Sequence, residues 1–159
     1  MTRAFLIAPA RTADALDTVR ALFREYEASL DVDLAYQDFH AELEGLPGKY
    51  APPGGELLLA SAADGRPLAC AALRAMPRDG CCEIKRLYVR PETRGTGVGR
   101  ALLDQLVGTA RLRGYREIWL DTLPTMQAAQ QLYRHYGFEA AEAYYDTPVA
   151  GTVFMRLEL

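Results

Sequence analysis

The run Arg94-Gly95-Thr96-Gly97-Val98-Gly99-Arg100 sets three alternating glycines between two arginines. Glycines admit unusual dihedrals and keep Cβ atoms out of the way, so such a run suits an anion held against bare backbone. An apolar helical pattern begins at once, which brings unpaired first-turn N–H groups and the positive end of a helix dipole to the same spot. Two phosphate fingerprints are excluded. A P-loop needs Gly-x4-Gly-Lys-Ser/Thr, which the sequence lacks. A dinucleotide fingerprint needs GxGxxG, but its third place falls on Arg100 counted from Gly95 and on Leu102 counted from Gly97. What remains is RxxGxG between a strand and a helix. Across residues 82–100 the five cations Lys85, Arg86, Arg90, Arg94 and Arg100 outnumber the two acids Glu83 and Glu92, a local positive field in a chain of net charge −3. A plain glycine turn with solvated arginines is the alternative reading of the same residues.

The flanking pattern says which elements must position this run. Residues 81–90 (CCEIKRLYVR) read as a strand ended by Pro91, and the spacing of Ile84, Leu87 and Val89 breaks strict alternation as a β-bulge would. A helix follows from about Gly97 to Arg113, with Val98, Leu102, Leu106 and Ala110 on one stripe and Gly114 at its C-terminal cap. Residues 116–122 (REIWLDT) suit a buried strand, and Pro124 and Thr125 open a helix, MQAAQQLYRHY, that Gly137 ends. Upstream, FLIA suits a first strand. Val19, Leu22, Phe23, Tyr26 and Leu30 mark a helix capped by Thr12 or Asp14. A second helix is expected from about Tyr36 to Leu46. Strands 56–63 and 67–76 flank the hairpin signal DGR, and FEAAEAYYD and TVFMRLEL close the chain as two more. This order predicts one α/β (α+β) domain over residues 1–159, with a mixed, mostly antiparallel sheet of about six or seven strands flanked by about four helices.

Two of these blocks, the strand–RxxGxG–helix unit and the helix ending Leu-Tyr-x3-Gly-Phe, make residues 81–140 resemble the GNAT superfamily of acyl-CoA N-acyltransferases. The resemblance implies acetyl-CoA as cosubstrate. Backbone amides of Arg94, Gly95, Thr96, Gly97, Val98, Gly99 and Arg100 would hold its pyrophosphate. Its pantetheine arm would pair like a strand with Leu87, Tyr88 and Val89. The small Ala129 would let the coenzyme pass. Tyr133 matches the family tyrosine that lies near the coenzyme A sulfur and becomes the candidate acid for the departing thiolate. A core aromatic on the stripe of Met126, Ala129 and Tyr136 is its bland reading. Glu83 is the candidate base because many relatives carry a carboxylate on this strand; an ordinary strand residue paired to Lys85 or Arg86 is the alternative, and Asp121 is the second candidate base. One position departs from the family: the asparagine often found seven residues before the tyrosine is Met126 here, which removes an amide contact to the coenzyme.

Acyl transfer to an amine needs a proton acceptor, a polarised carbonyl and a stabilised thiolate. No Ser/His/Asp or Cys/His grouping is recognisable, so direct attack by the amine is expected rather than an enzyme-bound acyl intermediate. A non-catalytic acyl-CoA-sensing module is the competing class. Residues 25–48 hold seven acids and no lysine or arginine through Glu44, with Lys49 next. They are either solvated helix faces or, through Asp33, a site for a cationic amine; Tyr144 and Tyr145 are candidates for its far wall. The remaining properties are those of an ordinary globular chain. With 159 residues it can bury roughly 70% of its unfolded surface. Its net charge argues against nucleic acid as a partner. Three cysteines, two of them adjacent, suggest neither disulfides nor a metal site. No apolar run is long enough to span a bilayer. A cytoplasmic protein without metal or membrane partner is expected, and a homodimer joined through its terminal strands is compatible with this pattern.

Overall fold

A computed structural model describes residues 4–159. Seven strands form one sheet in the order β1-β2-β3-β4-β5-β7-β6. They are β1 (Phe5–Pro9), β2 (Glu56–Ala62), β3 (Pro67–Ala75), β4 (Cys81–Val89), β5 (Glu117–Thr122), β6 (Glu139–Ala141) and β7 (Val153–Glu158). Only β4 and β5 run parallel; every other neighbour pair is antiparallel. The helices are α1 (Ala13–Ala28), α2 (Phe39–Glu44), α3 (Val98–Leu112) and α4 (Gln127–Tyr136). This is the mixed, mostly antiparallel domain that the pattern predicts.

Each face of the sheet has its own core. On one, Val98, Leu102, Leu103, Leu106 and Val107 of α3 pack with Leu58, Leu73, Ile84, Ile118 and Leu120 of the sheet. On the other, Val19, Leu22 and Phe23 of α1 pack with Phe39 and Leu43 of α2 over Leu57, Cys70 and Tyr88. Thr12, rather than Asp14, caps α1: its hydroxyl accepts from the Ala15 amide at 3.1 Å. Gly114, at φ 84°, turns the chain out of α3.

The structure differs from the sequence pattern in two stretches. The expected helix from Tyr36 to Leu46 is split into a 3₁₀ turn at Leu34–Gln37 and the six-residue α2, with Asp38 between them at φ 59°. The expected strand over residues 138–146 stops at Ala141. Tyr144 and Tyr145 leave the ladder because their rings pack edge-on against Phe154, with centroids at 5.3 and 5.5 Å, and Tyr144 also meets Trp119 at 5.7 Å. These contacts hold both tyrosines over the sheet rather than in it.

Glu56 ties the start of β2 to two other segments. One oxygen meets Arg11 at 2.6 Å, the other meets Arg113 at 3.1 Å, and the Leu57 amide donates at 3.0 Å. Burial pushes this carboxyl up, but the Arg11 hydrogen bond and the amide outweigh it and leave it below the ordinary 4.5. A depressed folded value means stability that is present above the ordinary value and lost as pH falls through the folded one. Glu56→Gln is therefore expected to destabilise the protein near neutrality, with a deficit that shrinks as the pH falls below the ordinary carboxylate range. Urea unfolding of both proteins across that range measures it.

Candidate active site

β4 and β5 pair only where Cys81–Glu83 faces Glu117–Trp119. Beyond that point β4 stays with β3 to Val89, while β5 stays with β7 to Thr122. The two strands part, and the sheet opens in its middle. The Arg90 amide donates to Leu68 of the β3 side at 3.0 Å. Alternation along the strand therefore aims the backbone groups of Val89 and Leu87 into the gap, free of a ladder partner.

Opposite Ala71, β4 carries one residue too many: Lys85 aligns with Ala72 but Tyr88 with Cys70. This is the bulge announced by Ile84, Leu87 and Val89, all three of which pack on the α3 side. The extra residue is Arg86, at φ 61°. A left-handed conformation costs a non-glycine residue about 1–2 kcal/mol. It turns the Arg86 side chain to the α2 side, where Nε and Nη2 meet the two Glu42 oxygens at 2.9 and 3.1 Å and Nη1 donates to Gln37 at 2.7 Å.

At the mouth of the gap lies the glycine loop. Gly95 and Gly97 sit at φ 83° and 86°. A Cβ at either would meet nothing within 4 Å, so their backbone conformation calls for glycine and the space over them is open. Gly97 occupies the N-cap of α3 and offers no side chain, which leaves the first-turn amides without a side-chain partner. Gly99 packs closely below, where a Cβ would lie 3.5 Å from both Val89 and Leu132. An uncapped helix end facing open space fits a diphosphate group. The positive field around it is smaller than the count of five cations suggests. Arg90 pairs with Glu25 at 2.5 Å, and Lys85 and Arg86 point into the protein. Arg94 and Arg100 remain at the loop, Arg100 stacked over Tyr136 at 4.5 Å.

Deeper in, the gap widens into a cleft lined by Tyr26, Gln37, Lys85, Leu87, Asp121, Met126 and Tyr133, among others. Tyr133 is buried in α4, its ring 5.6 Å from Phe138. Among the described residues no group hydrogen-bonds its hydroxyl, and burial pushes the phenol well above its ordinary value. Gln130 holds α4 against the end of β5 through the Leu123 carbonyl at 2.8 Å. Met126 starts α4 and reaches across the cleft, with Sδ 4.0 Å from the Tyr26 hydroxyl. Ala129 is half-buried beside Tyr133 in the α3-side core.

The polar wall forms a continuous network. Glu83 is buried and outside the cleft lining: one oxygen accepts from Arg74 at 2.9 Å, the other from Tyr144. Asp121 lines the cleft, accepting from Tyr145 at 2.6 Å and from Lys85 at 3.4 Å. Gln37 joins Lys85 at 3.2 Å to Arg86 and Tyr145. Asp33 is exposed, and its carboxylate caps the 3₁₀ turn at the Ala35 amide, 2.9 Å away. Of the sequence candidates, the structure thus places Leu87, Tyr133 and Asp121 on one cleft, sets Tyr145 behind Asp121 and Gln37, with Glu83 and Tyr144 further back, keeps the glycine loop at the start of α3 and leaves Asp33 outside. Gln37, Lys85 and Glu42 were not legible as site residues. The broken alternation of β4 was the one signal that Arg86 turns inward.

A sheet parted beside a glycine-lined helix N-terminus, with a buried tyrosine at the base of the gap, defines a transferase built around an extended acyl donor. The chain belongs to the acetyltransferase (GNAT) family, whose model matches residues 16–138. It is 40% identical over 144 residues to an uncharacterized N-acetyltransferase of Schizosaccharomyces pombe, covering 91% of this chain and 88% of that one. A GNAT-family acetyltransferase structure from Staphylococcus aureus superposes with a TM-score of 0.82 at 19% identity, over 98% and 99% of the two chains. An acetyltransferase structure from Salmonella typhimurium with acetyl-CoA gives 0.69 at 21%, over 98% and 94%. Membership of this family makes the chain an N-acetyltransferase.

Proposed function

We propose that acetyl-CoA lies in the gap between β4 and β5, with its pyrophosphate on the amides of residues 94–100 and its pantetheine arm against Leu87–Val89, passing Ala129. A primary amine enters from the side of Gln37 and Tyr145. The observation that carries this reading is the parting of β4 from β5, which leaves Leu87 and Tyr133 on one cleft while the uncapped start of α3 packs through Gly99 on Val89, two residues further along β4.

The chemistry is direct transfer. The ammonium of the acceptor gives one proton to Asp121, and the neutral amine attacks the thioester carbonyl. An N–C bond forms, the C–S bond breaks, and the sulfur leaves with its electron pair. The nitrogen then sheds its second proton to water. Asp121 suits the base role better than Glu83, because Asp121 lines the cleft while Glu83, bonded to Arg74 and Tyr144, stands off it. Glu83 acts as a positioning residue through Tyr144, whose ring packs on Tyr145 at 5.4 Å. The cysteines are poor nucleophiles: burial pushes Cys82 up to about 12 and Cys70 higher still. The enzyme works in the cytoplasm, where unpaired cysteines persist, with neither nucleic acid nor membrane as partner. A homodimer joined through a terminal edge strand such as β1 is compatible with this reading.

Free thiol released from acetyl-CoA over a panel of primary amines tests it. Turnover on at least one amine is expected. Tight acetyl-CoA binding with no turnover on any amine would establish the sensing module instead. The loop has its own test. Gly97→Ala is expected to cost about 1–2 kcal/mol in stability and to raise KM for acetyl-CoA several-fold, with kcat little changed. Steady-state kinetics beside thermal unfolding read both effects.

A further inference from the structure

We propose that the acceptor is a free amino acid, whose carboxylate is received by Lys85 while its amine is received by Asp121. This rests on the reading of the cleft as the acyl-transfer site.

Three charged side chains line the cleft: Lys85, Arg86 and Asp121. Arg86 is fully engaged by both Glu42 oxygens and Gln37. Lys85 is not. Its side chain is only 6% exposed, yet its ammonium stands 3.2 Å from Gln37, 3.4 Å from Asp121 and 3.9 Å from Glu83. A charge-assisted N–H···O bond closes to about 2.7–2.9 Å, and none of these contacts does. The carboxylates around it are drawn elsewhere, Glu83 to Arg74 and Tyr144, and the Oδ2 of Asp121 to Tyr145. A buried ammonium held this loosely at the edge of a cleft is a receptor for an anion.

The spacing selects which anion. Lys85 and the nearer Asp121 oxygen present a positive and a negative charge 3.4 Å apart. In an α-amino acid the ammonium nitrogen and the nearer carboxylate oxygen are separated by three bonds, N–Cα, Cα–C and C–O, and lie about 3 Å apart. Set antiparallel to the Lys85–Asp121 pair, the zwitterion meets each charge with its opposite. The same placement brings the reacting nitrogen to the carboxylate that takes its proton. Gln37, itself held by Arg86 and Tyr145, keeps one neutral contact to the Lys85 ammonium at 3.2 Å.

A polycation finds no such match. None of the seven acids between residues 25 and 48 lines the cleft, and three already have partners: Glu25 in Arg90, Glu42 in Arg86 and Glu27 in the Leu34 amide. A second positive charge entering the cleft would face Lys85 instead, and like charges at close range reject a partner.

The test uses the full chain with acetyl-CoA and measures thiol release on free amino acids, on the same amino acids as carboxamides, and on polyamines. At least one free amino acid is expected to exceed its carboxamide about 10-fold or more in kcat/KM, as loss of a hydrogen bond to a charged group implies. Lys85→Gln is expected to raise KM for the amino acid at least 10-fold with Kd for acetyl-CoA unchanged, and Lys85→Arg to restore part of the loss. Equal rates on acid and carboxamide, or a preference for polyamines, would overturn the amino-acid assignment and leave the transfer reading standing. Lys85→Gln and Lys85→Arg with wild-type KM for the amino acid would overturn the role of Lys85. No turnover on any amine would remove the transfer reading, and this inference with it.

Discussion

Tyr133→Phe is expected to lower kcat about 10- to 100-fold, with Kd for acetyl-CoA and the unfolding free energy little changed. The magnitude follows from what the hydroxyl can do. Burial pushes the phenol well above its ordinary value, whereas a thiol has a pKa of about 8.5. Full proton transfer from such a phenol to a departing thiolate runs uphill. The phenol instead keeps its proton and donates a hydrogen bond to the sulfur as negative charge develops there, and the thiolate is protonated later from water. A hydrogen bond to a charged group contributes about 1.5–3 kcal/mol, which is the stated range in rate. The stability half of the expectation has a separate basis. No described residue bonds the hydroxyl, so its removal orphans nothing, and the ring keeps its contact with Phe138 at 5.6 Å. The role also predicts a pH profile of kcat in Tyr133→Phe with the same limbs as wild type, since the phenol never titrates in the working range. Wild-type kcat in the variant would return Tyr133 to a purely structural role.

What was legible in the sequence is what lies close together along it. The loop and the start of α3 are contiguous, so the glycines, the absent cap and the helix stripe could be read as one unit. Tyr133 and Gly137 share a helix with its own period. The polar wall is different. Gln37 reaches Lys85 across 48 positions, Arg86 reaches Glu42 across 44, and Lys85 reaches Asp121 across 36. Nothing local in EIKR distinguishes a buried cation from a solvated one. The seven acids from Glu25 to Glu44 likewise looked like one charged face. Folding assigns them separate tasks: Asp33 caps a turn, Glu25 and Glu42 neutralise arginines, and His40 and Glu44 pair on the surface of α2 at 3.2 Å. The strand expected at Tyr144 and Tyr145 failed for the same reason. Alternation described the segment locally, while Phe154, Trp119 and two carboxylates decided where its rings went.

The most damaging single substitution expected outside the apolar cores is Glu42→Ala. Arg86 is 2% exposed at its side chain and Glu42 13%. Burial alone would lower the Arg86 value, but the Glu42 hydrogen bonds outweigh it and hold the guanidinium above its ordinary range. A guanidinium is too basic to lose its proton in a protein, so Arg86 stays charged even when Glu42 is removed. Removing the partner leaves an uncompensated cation in the protein interior, a loss of about 3–5 kcal/mol out of the roughly 5–15 kcal/mol that a domain of this kind has in total. Gln37 alone cannot replace a bidentate carboxylate. The damage extends to function, because Arg86 shares Gln37 with Lys85 and the bulge that turns Arg86 inward also sets the register of Leu87 and Val89 along the gap. Glu42→Ala is thus expected to raise KM for acetyl-CoA as well as to lower the urea midpoint. The double variant Glu42→Ala/Arg86→Met separates the two causes. Removing the orphaned charge is expected to recover a large part of the stability, since replacing both partners of a buried pair costs far less than breaking it. The KM defect should persist, because the side-chain contacts that hold Gln37 and the bulge are still missing. A Glu42→Ala protein within about 1 kcal/mol of wild type would mean that water reaches Arg86 and that the pair is a surface one.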